Sequence, residues 1–273
     1  MLSWFEAAVL GLVQGLTEFL PISSSAHIRV VSELAGWEDP GAAFTAVTQL
    51  GTEAAVLLYF RHDIVRIVRT WSLSLVRPQL RGDIDARMGW YVIVGTLPIG
   101  ILGFLFRDAI EGPARNLWLI ASMLVVFGVI LGFIDARARN ERPLDQLTFR
   151  DALVYGGAQA LALVPGVSRS GGTTGAGLLL GYRREAAARY SFLLAIPAVL
   201  VSGLFELRKI GDGQPVEWGP TILATLIAFA VGLSVIVYFL RYISTHSFRP
   251  FVIYRVALGL VLLALLATGV VDA

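Results

Sequence analysis

The chain has 273 residues, 56% of them hydrophobic and only 15% charged, with a formal net charge of +2 and a mean hydropathy of +0.72. Ordinary soluble domains carry about 25% charged residues, so this composition excludes a water-soluble globular fold and identifies an integral membrane protein. The arginines cluster in a few loops rather than along one face, which argues against a nucleic-acid partner. With no cysteine, disulfides, thiolate catalysis and Cys-ligated metals are excluded as well.

In chain order, the first apolar stretch, about 3–35, is interrupted at Pro21 and by three consecutive serines. It lacks the basic start and small-residue cleavage site of a signal peptide, so it is expected to belong to the mature fold. Each side of the interruption is too short to span a bilayer, which needs about 20 apolar residues. The stretch is therefore read as a re-entrant helical hairpin. Three spans follow, at roughly 42–60, 88–106 and 116–134. A second interrupted stretch, about 150–181, breaks at Pro165 and reads as a second hairpin, followed by spans at roughly 187–207, 219–240 and 250–270. The expected fold is an all-α polytopic membrane protein of six transmembrane helices plus two re-entrant hairpins. Because three spans is an odd number, the second half (141–273) must enter from the face opposite to the first (1–140), an inverted-topology repeat.

Arginine placement orients the chain. Arg61, Arg66, Arg69, Arg77, Arg81 and Arg87 follow the first span, and Arg137, Arg139, Arg142 and Arg150 follow the third. By the positive-inside rule both loops are cytoplasmic. The Arg107–Arg115 turn, the Gly211–Trp218 stretch and both termini are then expected outside. The hairpins enter from opposite faces and can meet in the middle.

The two interrupted stretches resemble each other. Aligning Gln14 with Gln159 brings Ser23 onto Ser168, Ser24 onto Arg169 and Ser25 onto Ser170, with Pro21 and Pro165 displaced by one residue. Hydrocarbon tolerates a broken helix only where the break is buried in protein or lines a watery cavity, and paired breaks point to a midplane site. Gln14 and Glu18 are one turn apart, on a face kept narrow by Gly11 and Gly15. An intramembrane carboxylate is functional by default, the alternative being hydrogen bonding to a neighbouring helix. Ser23, Ser24 and Ser25 offer hydroxyls and free backbone N–H groups suited to an anion, beyond the single N-cap that one of them would form. His27 is one of three histidines in the chain and is either a proton carrier or a satisfied hydrogen-bonding residue. Arg169, flanked by Ser168, Ser170 and glycines, presents a planar fork matched to phosphate oxygens; its alternative partner is Glu18, as a structural ion pair. Thr173 and Thr174 stand behind it. Gln49 and Glu53 repeat the Gln-x-x-x-Glu spacing without a break or cation beside them, and Glu53 is read as structural, bonded to the opposite hairpin.

Gln14-Gly-Leu-Thr-Glu-Phe-Leu-Pro-Ile-Ser-Ser-Ser-Ala-His27 and Pro165-Gly-Val-Ser-Arg-Ser-Gly171 resemble the two signature segments of the undecaprenyl-diphosphatase family, the bacitracin-resistance phosphatases of bacterial membranes. The likeness runs through essentially the whole chain. It implies hydrolysis of undecaprenyl diphosphate to the monophosphate and phosphate, recycling the lipid carrier of cell-wall synthesis. It also implies a divalent cation (Mg²⁺ or Ca²⁺), a homodimer in the bacterial plasma membrane and a site open to the outer face. By position, Gln14 and Glu18 match the family's Glu/Gln-x-x-x-Glu motif and become the expected metal residues. Glu18, Ser24, His27 and Arg169 become the expected catalytic residues; Ser24 is the preferred nucleophile, with His27 taking or delivering the proton, and water activated directly by Glu18 or His27 is the rival. Gln14, Ser23, Ser25, Ser168, Ser170 and Thr173 become the expected substrate-binding residues. This chain takes Gln at the first motif position, and Ser25-Ala26 stands where the family often has Thr-Gly.

Two other readings share some of these features. A polyprenyl-phosphate flippase would also use an inverted repeat with broken helices. A lipid phosphatase of the phosphatidic-acid phosphatase type needs a second histidine downstream of its Ser-Arg, and only His246, on an expected cytoplasmic loop, follows Arg169.

Overall fold

The computed structural model describes residues 2–111, 114, 116–211 and 217–271. Among these are twelve α-helices and no strand. The first hairpin is α1 (Trp4–Thr17) and α2 (Ser24–Leu34), followed by α3 (Gly41–Tyr59), α4 (Arg61–Val76), α5 (Ile84–Leu105), the short α6 (Arg107–Glu111) and α7 (Leu117–Arg137). The second hairpin is α8 (Phe149–Leu161) and α9 (Arg169–Leu179), followed by α10 (Arg184–Gly211), α11 (Trp218–Ile243) and α12 (Arg249–Ala267). Five helices, α5, α7, α10, α11 and α12, are long and apolar enough to cross a bilayer, and α3 with α4 makes a sixth candidate bent by 77°.

The helix starts follow local chemistry. Ser3 and Glu6 form a capping box on α1, and Thr148 and Asp151 form one on α8. Asp83 caps α5, and the Asn116 side chain accepts from the amides of Trp118 and Leu119 at the start of α7. One element differs from expectation. The first part of the arginine-rich stretch after the first span, with Arg61, Arg66 and Arg69, is not a loop but α4, whose core-facing side carries Ile67 and Ser74, while Arg77 and Arg81 follow it and Arg87 lies in α5. The expected outer turn contains α6; Arg115, and residues 212–216 of the expected outer loop, lie outside the described residues.

Packing is exchanged between the halves: α1 lies along α11, and α8 lies along α5. Equivalent glycines make both approaches possible. A Cβ on Gly11 would stand 2.5 Å from the Ala224 carbonyl oxygen, and one on Gly156 would stand 2.6 Å from that of Gly95. The other close pairs are α3 with α11 and α7 with α12. The largest buried apolar cluster joins Phe19, Phe60, Phe192, Phe239 and Phe248 to Tyr155, Tyr182 and Tyr190. Phe19, at the first break, stacks edge-on against Phe192 at 5.4 Å, so the break is anchored in the centre of the bundle. Outward-facing side chains of the spans are also apolar, among them Leu97, Ile101, Val129, Phe133, Leu226 and Leu260. Such a surface is stable against lipid and costly against water.

Candidate functional site where the two broken helices meet

The breaks at 18–23 and 162–168 come together inside the bundle. Ser23 and Ser168, aligned by sequence, share an unusual backbone, with φ 74°, ψ 98° and φ 73°, ψ 115°. Non-glycine residues rarely adopt positive φ, and a residue held there marks a site where the surrounding structure imposes the conformation. Each stands immediately before an eleven-residue helix, α2 or α9, so two helix N-termini begin at the junction, with the positive ends of their dipoles directed at it.

Glu18 is the hub. Its side chain is 4% exposed and accepts four hydrogen bonds. Oε1 receives Arg169 Nη2 at 2.5 Å and Gln49 Nε2 at 2.8 Å, and Oε2 receives Gln14 Nε2 at 2.9 Å and Ser24 Oγ at 2.6 Å. The ion pair read as the alternative for Arg169 therefore exists, and it assembles the site: it joins the end of α1 to the start of α9. Ser170 adds a second stitch, donating to the Leu20 carbonyl at 2.8 Å.

The remaining expected residues divide. Ser23 holds the N-cap position of α2 but makes no side-chain cap bond; its hydroxyl lies 3.3 Å from that of Ser25. Ser168 does cap α9, accepting from the Gly171 amide, and also contacts Ser170. Thr173 is fully buried, with its hydroxyl bonded to the Arg169 carbonyl and to Ser191 on α10. His27 does not meet Ser24. Its Nδ1 lies 2.7 Å from the Ser23 carbonyl oxygen, which can only accept, so in the neutral ring Nε2 accepts from the Tyr254 hydroxyl at 2.8 Å. The group in contact with the Ser24 hydroxyl is Glu18.

The site also has a lipid-facing side. A groove of 700 Å³ runs beside the first break, lined by Leu16 and Leu20 of that segment and by Val231, Val235, Tyr238 and Phe251 of α11 and α12.

Residues 7–261 match the family described as bacitracin resistance protein BacA. The chain belongs to this family. Similar curated proteins include undecaprenyl-diphosphatase 3 of Frankia alni, 62% identical over 100% of this chain and 98% of the relative. Undecaprenyl-diphosphatase 2 of Frankia casuarinae is 63% identical over 98% of this chain and 96% of its own, and undecaprenyl-diphosphatase of Nocardioides sp. is 58% identical over the full length of both.

For this family member, three contributors escaped sequence reasoning. Gln49 carries only the Gln-x-x-x-Glu spacing, with no break or cation beside it, yet it bonds Glu18 from α3. Tyr254 was indistinguishable from a lipid-facing aromatic. Arg255 sits in the last span, 1% exposed. It donates to the carbonyls of Pro21 (3.0 Å), Gly166 (2.7 Å), Val167 (3.1 Å) and Leu124 (3.2 Å). One guanidinium thus satisfies backbone carbonyls freed at both breaks, which is how irregular backbone is accommodated at this depth. The available signal was a charge within an otherwise apolar run of twenty residues.

A divalent cation would need oxygen ligands. Among the described residues no group of three or more His, Asp or Glu is gathered to hold one. Two buried oxygens beside the hub nevertheless lack hydrogen-bond partners, Gln14 Oε1 and Glu53 Oε1. Glu53, expected to be bonded structurally, has this oxygen to spare. The donor chemistry fits Mg²⁺ or Ca²⁺.

Proposed function

We propose that the chain hydrolyses undecaprenyl diphosphate to undecaprenyl phosphate and inorganic phosphate. It thereby recycles the lipid carrier for cell-wall synthesis and confers bacitracin resistance. The names of its relatives support the substrate, and the family description supports the resistance. The observation that carries the reading is the Glu18 carboxylate, which holds a guanidinium on one oxygen and a serine hydroxyl on the other, at the meeting of two helix N-termini.

In this proposal the diphosphate displaces Glu18 from Arg169 and takes the guanidinium fork, with Ser23, Ser25, Ser168 and Ser170 hydroxyls and helix-end amides around it. The polyprenyl tail runs out along the Leu16–Leu20 groove, so only the headgroup enters. Ser24 Oγ attacks the terminal phosphorus and its proton moves to Glu18. The bond from that phosphorus to the bridging oxygen breaks, and Glu18 returns the proton to the departing lipid phosphate. Water then displaces Ser24 from phosphorus, its proton passing through Glu18 to Ser24 Oγ. His27 and Tyr254 hold the Ser23 turn that aims Ser24. Gln14, Glu53 and Glu18 would hold the divalent cation, which when bound neutralises charge on the transferring phosphoryl group.

The same proposal includes an inverted repeat of 1–140 and 141–273, supported by the shared backbone of Ser23 and Ser168 and by the exchanged packing of α1 and α8. It also includes a homodimer in the bacterial plasma membrane, with both termini and the site on the outer face. The test is phosphate release from undecaprenyl diphosphate by the purified chain in detergent, with Mg²⁺ or Ca²⁺ and after chelation, beside Arg169→Ala. Release that stops on chelation and falls about 10²–10³-fold in the variant is expected, the usual cost of removing a donor to developing charge. No release by folded protein refutes it.

A further inference from the structure

Helix α4 has no part in the chemistry above, yet its surface is organised into three distinct faces. One face, with Ile67 and Ser74, is buried against the bundle. The next is apolar and exposed: Val65, Val68, Leu75 and Val76 are 65%, 54%, 49% and 76% exposed, at spacings that place them on one stripe. The third is basic. Together with Arg61, which stands on the stripe of Val65 and Val68, it forms one wall of a cavity of 680 Å³ lined by Arg61, Val65, Arg66, Arg69, Arg77 and Asp83 among others.

The cations of this cavity are not equivalent. Arg66 is neutralised by Asp63 at 2.9 Å and Asp85 at 2.8 Å. Arg61 donates to the Leu58 carbonyl, and neither it nor Arg69 nor Arg77 makes an ion pair among the described residues, although all three are exposed. Asp83, also in the lining, accepts from the Asp85 amide at the start of α5. Three arginine forks thus remain available in a single concavity. The 77° bend after α3 turns α4 away from the direction of α3 and onto α5. Trp71 stacks edge-on with Trp90 of α5 at 5.5 Å, and paired indoles are typical of the membrane–water boundary.

We propose that the basic cavity of α4 binds the phosphate of an anionic glycerophospholipid such as phosphatidylglycerol. An interfacial helix presents its apolar stripe to acyl chains and its basic stripe to headgroups. Here the two stripes adjoin, so one lipid can seat its phosphate on Arg69, with Arg61 and Arg77 about 12 Å along the helix on either side adding longer-range attraction, while its chains follow Val65, Val68 and Leu75. An isolated aqueous anion would use the arginines and leave the apolar stripe uncovered. That continuity of apolar and basic surface is why the occupant is a lipid, and three unpaired cations are why it is an anionic one.

The test uses the full chain in nanodiscs of phosphatidylcholine containing a minor fraction of phosphatidylglycerol, with retained lipid counted by native mass spectrometry. The wild-type chain should retain phosphatidylglycerol over phosphatidylcholine. The triple variant Arg61→Gln, Arg69→Gln, Arg77→Gln should lose that preference, by about fivefold per arginine near an anionic headgroup and about a hundredfold in all. The corresponding triple Lys variant should keep most of it. A control triple, Arg137→Gln, Arg139→Gln, Arg150→Gln, removes the same charge elsewhere and should keep the preference. Absence of preference in the wild type, or equal loss in the control triple, overturns the proposal.

Discussion

Replacing Glu18 with Gln separates the structural duty of this side chain from its chemical one. The four hydrogen bonds at Glu18 fix how glutamine must sit. Oε1 faces two donors that cannot accept, Arg169 Nη2 and the Gln49 amide nitrogen, so the glutamine oxygen must take that position. Its NH₂ then faces Ser24 and Gln14. Ser24 can turn its hydroxyl to accept, and Gln14 can flip to present an oxygen that has no partner at present. The four contacts at position 18 persist, but three of them become neutral, and the Ser24 proton and the flipped Gln14 NH₂ are left without an acceptor. Hydrogen bonds to charged groups contribute about 1.5–3 kcal/mol against about 0.5–1.5 for neutral ones. Three contacts then lose about 1–1.5 kcal/mol each, while the several kcal/mol spent on burying the carboxylate charge are no longer incurred, so Glu18→Gln is expected to lower unfolding stability by about 1–2 kcal/mol, short of the about 3–5 kcal/mol for stripping one partner from a buried pair. Turnover is another matter, because Ser24 then donates to nothing and no base receives its proton; a loss of about 10²–10⁴-fold is expected. Thermal unfolding in detergent and phosphate release from undecaprenyl diphosphate, measured on one preparation, read both quantities. A Glu18→Gln variant within tenfold of wild-type turnover, while Ser24→Ala is inactive, would refute Glu18 as the proton acceptor.

Other consequences are open to measurement. Gly11→Ala and Gly156→Ala each drive a Cβ to within 2.6 Å of a backbone oxygen and should cost about 1–3 kcal/mol by thermal unfolding. Gly157→Ala, with nothing within 4 Å, should stay within about 0.5 kcal/mol of wild type. Arg255→Leu leaves the Pro21, Gly166 and Val167 carbonyls without their donor, at about 1–3 kcal/mol each, and recovers several kcal/mol of guanidinium burial, a net loss of about 3 kcal/mol; an unchanged melting temperature would show that other contacts hold the breaks. Asp151, at the base of the second hairpin, accepts from Tyr182, Thr148 and Arg142. Burial pushes its carboxyl upward, but these donors outweigh it and hold it below the usual carboxylate range. Its folded pKa is depressed, so its contribution is complete above the unfolded value of about 4 and is lost as pH falls through the lower folded value. Melting temperature against pH should therefore drop in acid for the wild type, and Asp151→Asn should be less stable at neutral pH with a shallower acid limb.

Much of this protein was legible in its sequence. Hydropathy located the spans and proline the breaks, because lipid leaves the backbone few options and each option has a characteristic length. Aligning the two interrupted stretches paired Ser23 with Ser168, and the backbone at both positions is the same because the same residues turn the same corner. Glu18 and Arg169 stood out because a charge in hydrocarbon is costly wherever it lies. The partnerships were another matter. Ser24 meets Glu18 across only six residues, but that His27 turns to Tyr254, that Gln49 reaches the hub from α3, and that Arg255 gathers the carbonyls of both breaks depend on segments 31 to 234 residues apart coming into contact. Local sequence encodes helix, break and depth; which donor meets which acceptor is decided only when glycine-lined faces let α1 and α8 close onto α11 and α5 and bring the two breaks together.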